Sequence, residues 1–166
     1  MKSLPYDTID LVVNEPLEQA RIRLMNNVGP GSLRAVFSSA EERPFSGKVE
    51  ATKFKIYRKI QYRNSFLPIL NGTLEQHLSG TRISVRMRMH LLVIAFLAVW
   101  IGTSISFAMP FTAVAFWVEI GQAGIMIGAA LLMTYAGFWY EAKRSKKAFL
   151  EIFAGTEANQ PLEPIR

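Results

Sequence analysis

Three arginines near the middle of the chain are spaced so that they would share one face of a β-strand, where they could bind an anion. Arg82, Arg86 and Arg88 lie among alternating apolar residues, and side chains two apart on a strand share one face at about 6.6 Å separation. Guanidinium groups bind phosphate through paired hydrogen bonds. Arg86 and Arg88 could therefore hold a phosphate or a lipid headgroup. A solvated strand face that helps to fix membrane topology is the alternative interpretation.

A second polar group lies earlier in the chain, around a predicted turn. It comprises Arg58, Tyr62, Arg63 and Asn64. Asn64 favours a turn because its side chain can bond to nearby backbone. Arg58 falls on the apolar side of an alternating strand, which suits a partly buried, paired arginine or a local twist. A ligand contact is the other reading, and a ligand site is then expected in the domain interior near this turn.

Residues that could perform acid–base or metal chemistry are scarce. The chain has no cysteine and two histidines, and His77 suits a surface turn while His90 suits a membrane boundary. The sequence contains no phosphate-binding glycine loop, no nucleophile elbow and no zinc-protease motif. These observations predict a protein that is not an enzyme, with no catalytic residues, no metal site and no cofactor.

The longest uniform feature is an apolar block from Leu91 to Tyr140, with no Lys or Arg and one acidic residue, Glu119. Its length suits two helical crossings of a bilayer core about 30 Å thick, and Pro110 divides it. The predicted transmembrane helices are 91–109 and 121–139. Glu119 is placed at the interface, because a charge at mid-bilayer is costly.

Basic residues on both sides of the apolar block predict its orientation. Arginines precede the block, and Lys143, Arg144, Lys146 and Lys147 follow it. Since Lys and Arg stay on the cytoplasmic side, both termini are expected in the cytoplasm of a multi-pass inner-membrane protein. The net charge of +6 predicts contact with anionic lipid headgroups. No motif supports nucleic-acid binding.

Small residues recur along both predicted transmembrane helices. They are Ala98, Gly102 and Ser106 in the first helix and Gly121, Gly124 and Gly128 in the second. Small side chains let helix backbones approach closely in lipid. They predict that the two helices pack as a hairpin. The alternative is packing between copies of the chain in a homo-oligomer.

Residues 1–90 predict an α+β cytoplasmic domain. Alternation of apolar and polar residues marks strands at 6–13, 33–37, 47–50, 53–62, 66–78 and 81–90. A helix capped by Asn14 extends to about Asn27, where Gly29-Pro30-Gly31 follows, and Asn71-Gly72 suggests a bulge. The domain is expected to have one short helix and about six mainly antiparallel strands, in a curled sheet or small barrel.

The chain after the apolar block divides into two predicted segments. Residues 141–154 have the pattern of an amphipathic juxtamembrane helix, whose apolar side either lies on the membrane or covers the sheet. Residues 155–166 are polar with two prolines and are expected to be a disordered tail. The predicted organisation is therefore a cytoplasmic domain, a hairpin at 91–140, a helix and a tail.

Several short motifs occur between about residues 45 and 153. The most specific is the run Tyr62-Arg63-Asn64-Ser65-Phe66, followed by Gly80-Thr81 and by Met87-Arg88-Met89-His90 before an aromatic-rich helix. In these motifs the chain resembles a group of small uncharacterised bacterial membrane proteins. The resemblance implies a location in the bacterial inner membrane and supplies no catalytic residues.

Together these features predict a non-enzymatic integral membrane protein. Its cytoplasmic domain is expected to bind a partner protein or a small anionic ligand, while the hairpin anchors the domain or transmits a signal. The alternative is a ligand-gated effector that oligomerises through its transmembrane helices and perturbs the bilayer.

Overall fold

A computed structural model of the chain describes residues 6–31, 43–62, 64–107 and 116–154. Within these ranges the strands are β1 (Tyr6–Val13), β2 (Val28–Pro30), β3 (Phe45–Val49), β4 (Lys53–Arg58), β5 (Ile69–His77) and β6 (Gly80–Arg88). The helices are α1 (Leu17–Asn26), α2 (Leu91–Phe107) and α3 (Phe116–Phe153). The predicted α+β class is confirmed.

The described strands form one six-stranded sheet in the order β1-β6-β5-β4-β3-β2. All neighbours are antiparallel except β2 and β3, which are parallel. Because β1 and β2 lie at opposite edges, the sheet is open and the small barrel considered from the sequence is not formed.

One face of the sheet is apolar and carries the hydrophobic core. In β6, Ile83, Val85 and Met87 are at most 1% exposed, and they alternate with polar residues as a half-buried strand requires. Two helices cover this face and contribute to the same core: α1 with Ala20 and Leu24, and the C-terminal part of α3.

α3 is one continuous helix of 38 residues, about 57 Å long at 1.5 Å per residue. The predicted segments 121–139 and 141–154 are therefore parts of a single element. The apolar side of its last turns packs on the sheet. The Phe149 ring stacks on Phe54 of β4 at a centroid distance of 5.8 Å and meets Phe45 of β3 edge-on at 6.3 Å.

Two local predictions for residues 1–90 are wrong. α1 begins after Pro16, and no side chain forms a cap hydrogen bond at its start, so Asn14 does not cap it. The pairing of β5 is continuous on both sides, so Asn71-Gly72 forms no bulge. Gly72 instead leaves room for the Phe54 ring, whose Cζ lies 2.1 Å from the position of an added Cβ.

The first part of the sheet also differs from the expected strand pattern. Val28–Pro30 forms the short strand β2 beside β3, where the sequence predicted only the end of a helix. The strand predicted at 33–37, Arg63, the connector around Pro110 and the tail 155–166 lie outside the described residues.

The two helices that follow the sheet expose large apolar side chains. Within the described ranges, one helix is long and apolar enough to cross a membrane, at 118–153, and 11% of its most apolar stretch is buried; α2 is a shorter apolar helix. The helices contact each other, and Trp100 Nε1 donates to the Met126 carbonyl at 3.4 Å. Leu92, Phe96 and Leu132 are each more than half exposed, as in surfaces that meet lipid or an apolar partner.

Candidate functional site

The polar face of the sheet forms a groove with a volume of about 860 Å³. We call it the polar groove; residues of β3, β4, β5 and β6 line most of it. Its basic side chains are Lys48, Lys53, Lys55, Arg82, Arg86 and Arg88, and its acidic side chains are Glu50 and Glu75. The excess of basic groups creates a positive potential that favours an anionic ligand.

The basic residues of the polar groove lie on two sides of the central strand β5. Arginines come from β6, lysines come from β3 and β4, and β5 lies between. The strand register places Lys55 opposite Asn71 and Asn71 opposite Arg86. At about 4.8 Å per strand, the Lys55 and Arg86 backbones are about 9.6 Å apart. An anion above Asn71 is within reach of both long side chains.

Few of these basic groups are neutralised by the protein itself. Lys48 pairs with Glu50 at 2.9 Å, whereas Lys55, Arg86 and Arg88 form no ion pair among the described residues. Lys48 also lies directly opposite Lys55, and like charges in that position repel. A bound anion would relieve this repulsion.

The three arginines predicted from their spacing, Arg82, Arg86 and Arg88, therefore line one side of the polar groove. The buried Nε of Arg82 has no hydrogen-bond partner among the described residues. The sequence did not indicate that Lys48, Lys53 and Lys55 face these arginines. Only the strand order shows that β3 and β4, which carry these lysines, lie across β5 from β6.

A separate polar cluster lies on the core side of the sheet. Arg58 continues the buried side of β4, and its guanidinium donates to the fully buried carboxylate of Glu141 on α3. The Tyr62 hydroxyl donates to the other carboxylate oxygen of Glu141. Arg58 is thus the partly buried, paired arginine that the sequence allowed, and the pair joins β4 to α3.

The environment of Tyr62 keeps its hydroxyl protonated. Desolvation raises the pKa of Tyr62, and the hydrogen bond to the Glu141 carboxylate raises it further, while Arg58 acts in the opposite direction. A phenolate beside a buried carboxylate would place two negative charges together. Tyr62 therefore serves as a neutral hydrogen-bond donor to Glu141.

The loop after Tyr62 attaches to α3 at a second point. The Asn64 side chain accepts a hydrogen bond from the Phe66 backbone N–H at 2.9 Å, which forms a local turn. Phe66 then lies against Gly137 of α3, where an added Cβ would be 2.9 Å from Phe66 Cδ2. Asn64 shapes this loop, and Gly137 and Glu141 are its two contact points on the helix.

Sequence reasoning missed the role of Glu141. It is the one acidic residue between Gly121 and Phe149, and it lies at the start of a basic segment. An isolated acid there and an arginine on the apolar side of a strand are complementary. This complementarity of charge was the sequence feature that could have indicated the pairing of Glu141 with Arg58.

The small residues predicted to pack the helices leave open space in this structure. A Cβ added at Gly102, Gly121, Gly124 or Gly128 would meet no atom within 4 Å. The Ser106 hydroxyl donates to the Gly102 carbonyl of its own helix at 2.9 Å. These glycines therefore do not form the contact between α2 and α3 within the described residues, and their packing against another copy of the chain stays a prediction.

Neither metal-binding geometry nor a known relative assigns a function to these groups. In the described part of the chain, no group of three or more His, Cys, Asp or Glu residues is placed to hold a metal ion. No protein-family model, curated protein or solved structure matches the chain. The polar groove and the Arg58–Tyr62–Glu141 cluster therefore carry the functional argument.

Proposed function

We propose that this chain is a non-enzymatic integral protein of the bacterial inner membrane whose cytoplasmic domain binds a small anionic ligand in the polar groove. The groove carries the proposal, because six basic side chains and two acidic ones line it. Lys55, Arg86 and Arg88 lack ion-pair partners among the described residues, so they are available to a ligand. A partner protein with an acidic segment is the other possible occupant.

The apolar helices support the membrane part of this proposal. α2 and the first part of α3 act as a transmembrane hairpin that anchors the domain. A core helix of a soluble protein is mostly buried, whereas 11% of the most apolar stretch of α3 is buried. Lys and Arg on the outer flanks of both helices favour cytoplasmic termini.

The contact between the groove and α3 supports a role in transmission. Phe54 and Gly72 line the polar groove, and the Phe54 ring also stacks on Phe149 of α3. One layer of sheet therefore separates a bound ligand from the helix that enters the proposed membrane region. A ligand that shifts β4 changes the surface on which α3 rests.

Labelling of single cysteines tests the proposed topology. The natural chain has no cysteine, so a thiol introduced at Leu78 or Thr112 reports without background. Leu78 is fully exposed and lies between β5 and β6, and Thr112 falls between α2 and α3 in the sequence. A membrane-impermeant maleimide added to intact spheroplasts should label T112C and leave L78C unlabelled until lysis. Labelling of L78C in intact cells would contradict cytoplasmic exposure of the domain.

Ligand titration tests anion binding in the groove. The full-length protein in phosphatidylcholine nanodiscs should show a saturable rise in unfolding temperature with citrate or inorganic phosphate, because a ligand that binds only the folded state stabilises it. Sodium chloride at equal ionic strength is the control. The K55E/R86E variant should lose the rise. An unchanged rise in this variant, or none in the natural protein, would count against the groove.

The open glycine faces favour a second candidate function. Gly124 and Gly128 meet no neighbouring atom within 4 Å, so a helix of another copy could approach them closely. The chain would then be a ligand-gated effector that oligomerises and perturbs the bilayer. This candidate predicts growth arrest on overexpression that Gly124→Leu and Gly128→Leu abolish. Harmless overexpression of the natural chain would remove its support.

A further inference from the structure

We infer that the ligand of the polar groove carries a phosphate group, and that this group binds at the end of the groove next to α2. The site consists of Lys55, Asn71, Arg86 and Arg88. This inference rests on the proposed function and deepens it, because it names the chemistry and position of one part of the ligand.

The two ends of the polar groove differ in charge. The end next to α2 is defined here by Lys55, Arg86 and Arg88; the far end is defined by Glu50, Glu75, Lys53 and Arg82. Glu50 lies at the turn between β3 and β4, and Glu75 pairs in register with Arg82 near the β5–β6 turn. Both carboxylates that line the groove are thus at the far end. The positive potential is strongest beside α2.

The residues at the end next to α2 suit a phosphate. Arg86 and Arg88 offer planar guanidinium groups that bond two phosphate oxygens at once, and Lys55 adds a compact positive charge. The Asn71 amide lies between these residues in the strand register and can donate to a third oxygen. A tetrahedral anion with several oxygens can satisfy donors from both sides of the groove, which a single carboxylate cannot.

Two sources could supply such a phosphate: a membrane lipid headgroup or a soluble phosphate ester. β6 ends at Arg88 and α2 begins at Leu91, so the proposed site is at headgroup level if α2 enters the bilayer. Farther along the groove, Thr73, Ser84 and Glu75 offer partners to hydroxyl or amine groups. This order, phosphate near the membrane and polar groups beyond it, is the order found in a phospholipid headgroup.

Binding measurements on the full-length protein test the site. Nanodiscs of phosphatidylcholine alone are compared with nanodiscs that also contain phosphatidic acid, and glycerol 3-phosphate is the soluble probe. Affinity is measured from the shift in unfolding temperature, and retained lipid is identified by native mass spectrometry. The K55Q/R86Q variant should bind the probe or the lipid about a hundredfold more weakly, because it loses two charge-assisted bonds and each is worth about a factor of ten.

Two controls separate this site from general attraction to the membrane. K143Q/K147Q removes two charges from exposed positions of α3, and it should leave binding within about twofold of the natural protein because surface charges act weakly. Arg82→Gln removes one charge at the far end of the same strand. It should weaken binding less than Arg88→Gln, which removes one charge at the proposed site.

Each outcome decides between the alternatives. Retention of phosphatidic acid without competition by glycerol 3-phosphate supports the lipid source, and binding of glycerol 3-phosphate in phosphatidylcholine nanodiscs supports the soluble source. Citrate binding as tightly as phosphate, or R82Q weakening binding more than R88Q, overturns the phosphate site and leaves the anion-binding function intact. Absence of binding by every anion overturns both.

Discussion

The guanidinium of Arg58 on β4 donates to the carboxylate of Glu141 on α3, which follows 83 residues later in the chain. Glu141 is fully buried, and 17% of the Arg58 side chain is exposed. An ion pair in such a position fixes geometry more than it adds net stability, but loss of one partner leaves a poorly solvated charge. The pair therefore holds α3 in one register along the sheet.

Glu141→Gln should destabilise the domain strongly. The substitution keeps the size of the side chain and removes the charge that compensates Arg58, so the free energy of unfolding should fall by on the order of 3 kcal/mol. Chemical denaturation in detergent, followed by tryptophan fluorescence, measures the change. Glu151→Gln, at an exposed position of the same helix, should change stability by less than about 0.5 kcal/mol. Equal effects of the two substitutions would contradict the role of the pair.

Tyr62 should make stability depend on alkaline pH. Because the pKa of Tyr62 is raised in the folded state, its contribution is complete below the ordinary tyrosine pKa of about 10. It is lost as the pH rises through the higher folded value. The free energy of unfolding should fall more steeply above about pH 10 in the natural protein than in Tyr62→Phe. Tyr57→Phe keeps Tyr62 and should retain the steep fall. Parallel pH profiles of natural protein and Tyr62→Phe would refute the linkage.

β6 and α3 illustrate what the sequence could predict. The alternation of Ile83, Val85 and Met87 with polar residues is a local pattern, and it predicted a strand that the structure confirms. The docking of α3 depends on pairs such as Glu141 with Arg58 and Phe149 with Phe54. Both members of each pair are visible in the sequence, but no local rule joins residues so far apart. The helical segments 121–139 and 141–154 were therefore predicted, whereas contact with the sheet was one of two alternatives left open for the second segment.

The polar groove shows the same division between local and distant information. Arg82, Arg86 and Arg88 share one strand, so their common face followed from strand geometry. Lys55 lies on β4, and only the strand order shows that β4 is one strand away from β6, with β5 between them. At Gly72 a local turn signal was overridden by tertiary packing, since the position is occupied by the Phe54 ring rather than by a bulge.

Gly72→Ala should separate the sheet from α3. Because an added Cβ would lie 2.1 Å from Phe54 Cζ, the Phe54 ring must leave its present position, which disturbs its stacking on Phe149. Overpacking of this kind destabilises by about 1–3 kcal/mol. Gly128→Ala is the matched control, since its Cβ meets nothing within 4 Å and alanine favours a helix by about 1 kcal/mol. The unfolding temperature measured in detergent should fall for Gly72→Ala and rise for Gly128→Ala. A change of unfolding temperature in the same direction for both variants would contradict the packing of Phe54 over Gly72.

Phe149→Ala should release the end of α3 from the sheet. The ring is fully buried and contacts Phe54 and Phe45, so its truncation should reduce stability by about 3–5 kcal/mol. Trypsin cleaves molecules in which the end of α3 has opened, so the cleavage rate follows the population of open molecules. This population should increase in Phe149→Ala. Trypsin digestion of the detergent-solubilised protein, followed by mass spectrometry, should show faster cleavage at Lys143 and Lys147.

Leu150→Ala distinguishes this release from a general effect of truncating a large side chain on α3. Leu150 is the next residue along the helix and is 40% exposed, so its truncation removes little buried contact and should leave the cleavage rate within about twofold of the natural protein. Faster cleavage confined to Phe149→Ala locates the docking energy in the aromatic contact with the sheet. Equal acceleration by both substitutions would mean that α3 is held elsewhere, and the route proposed from the polar groove through Phe54 to α3 would then lose its physical basis.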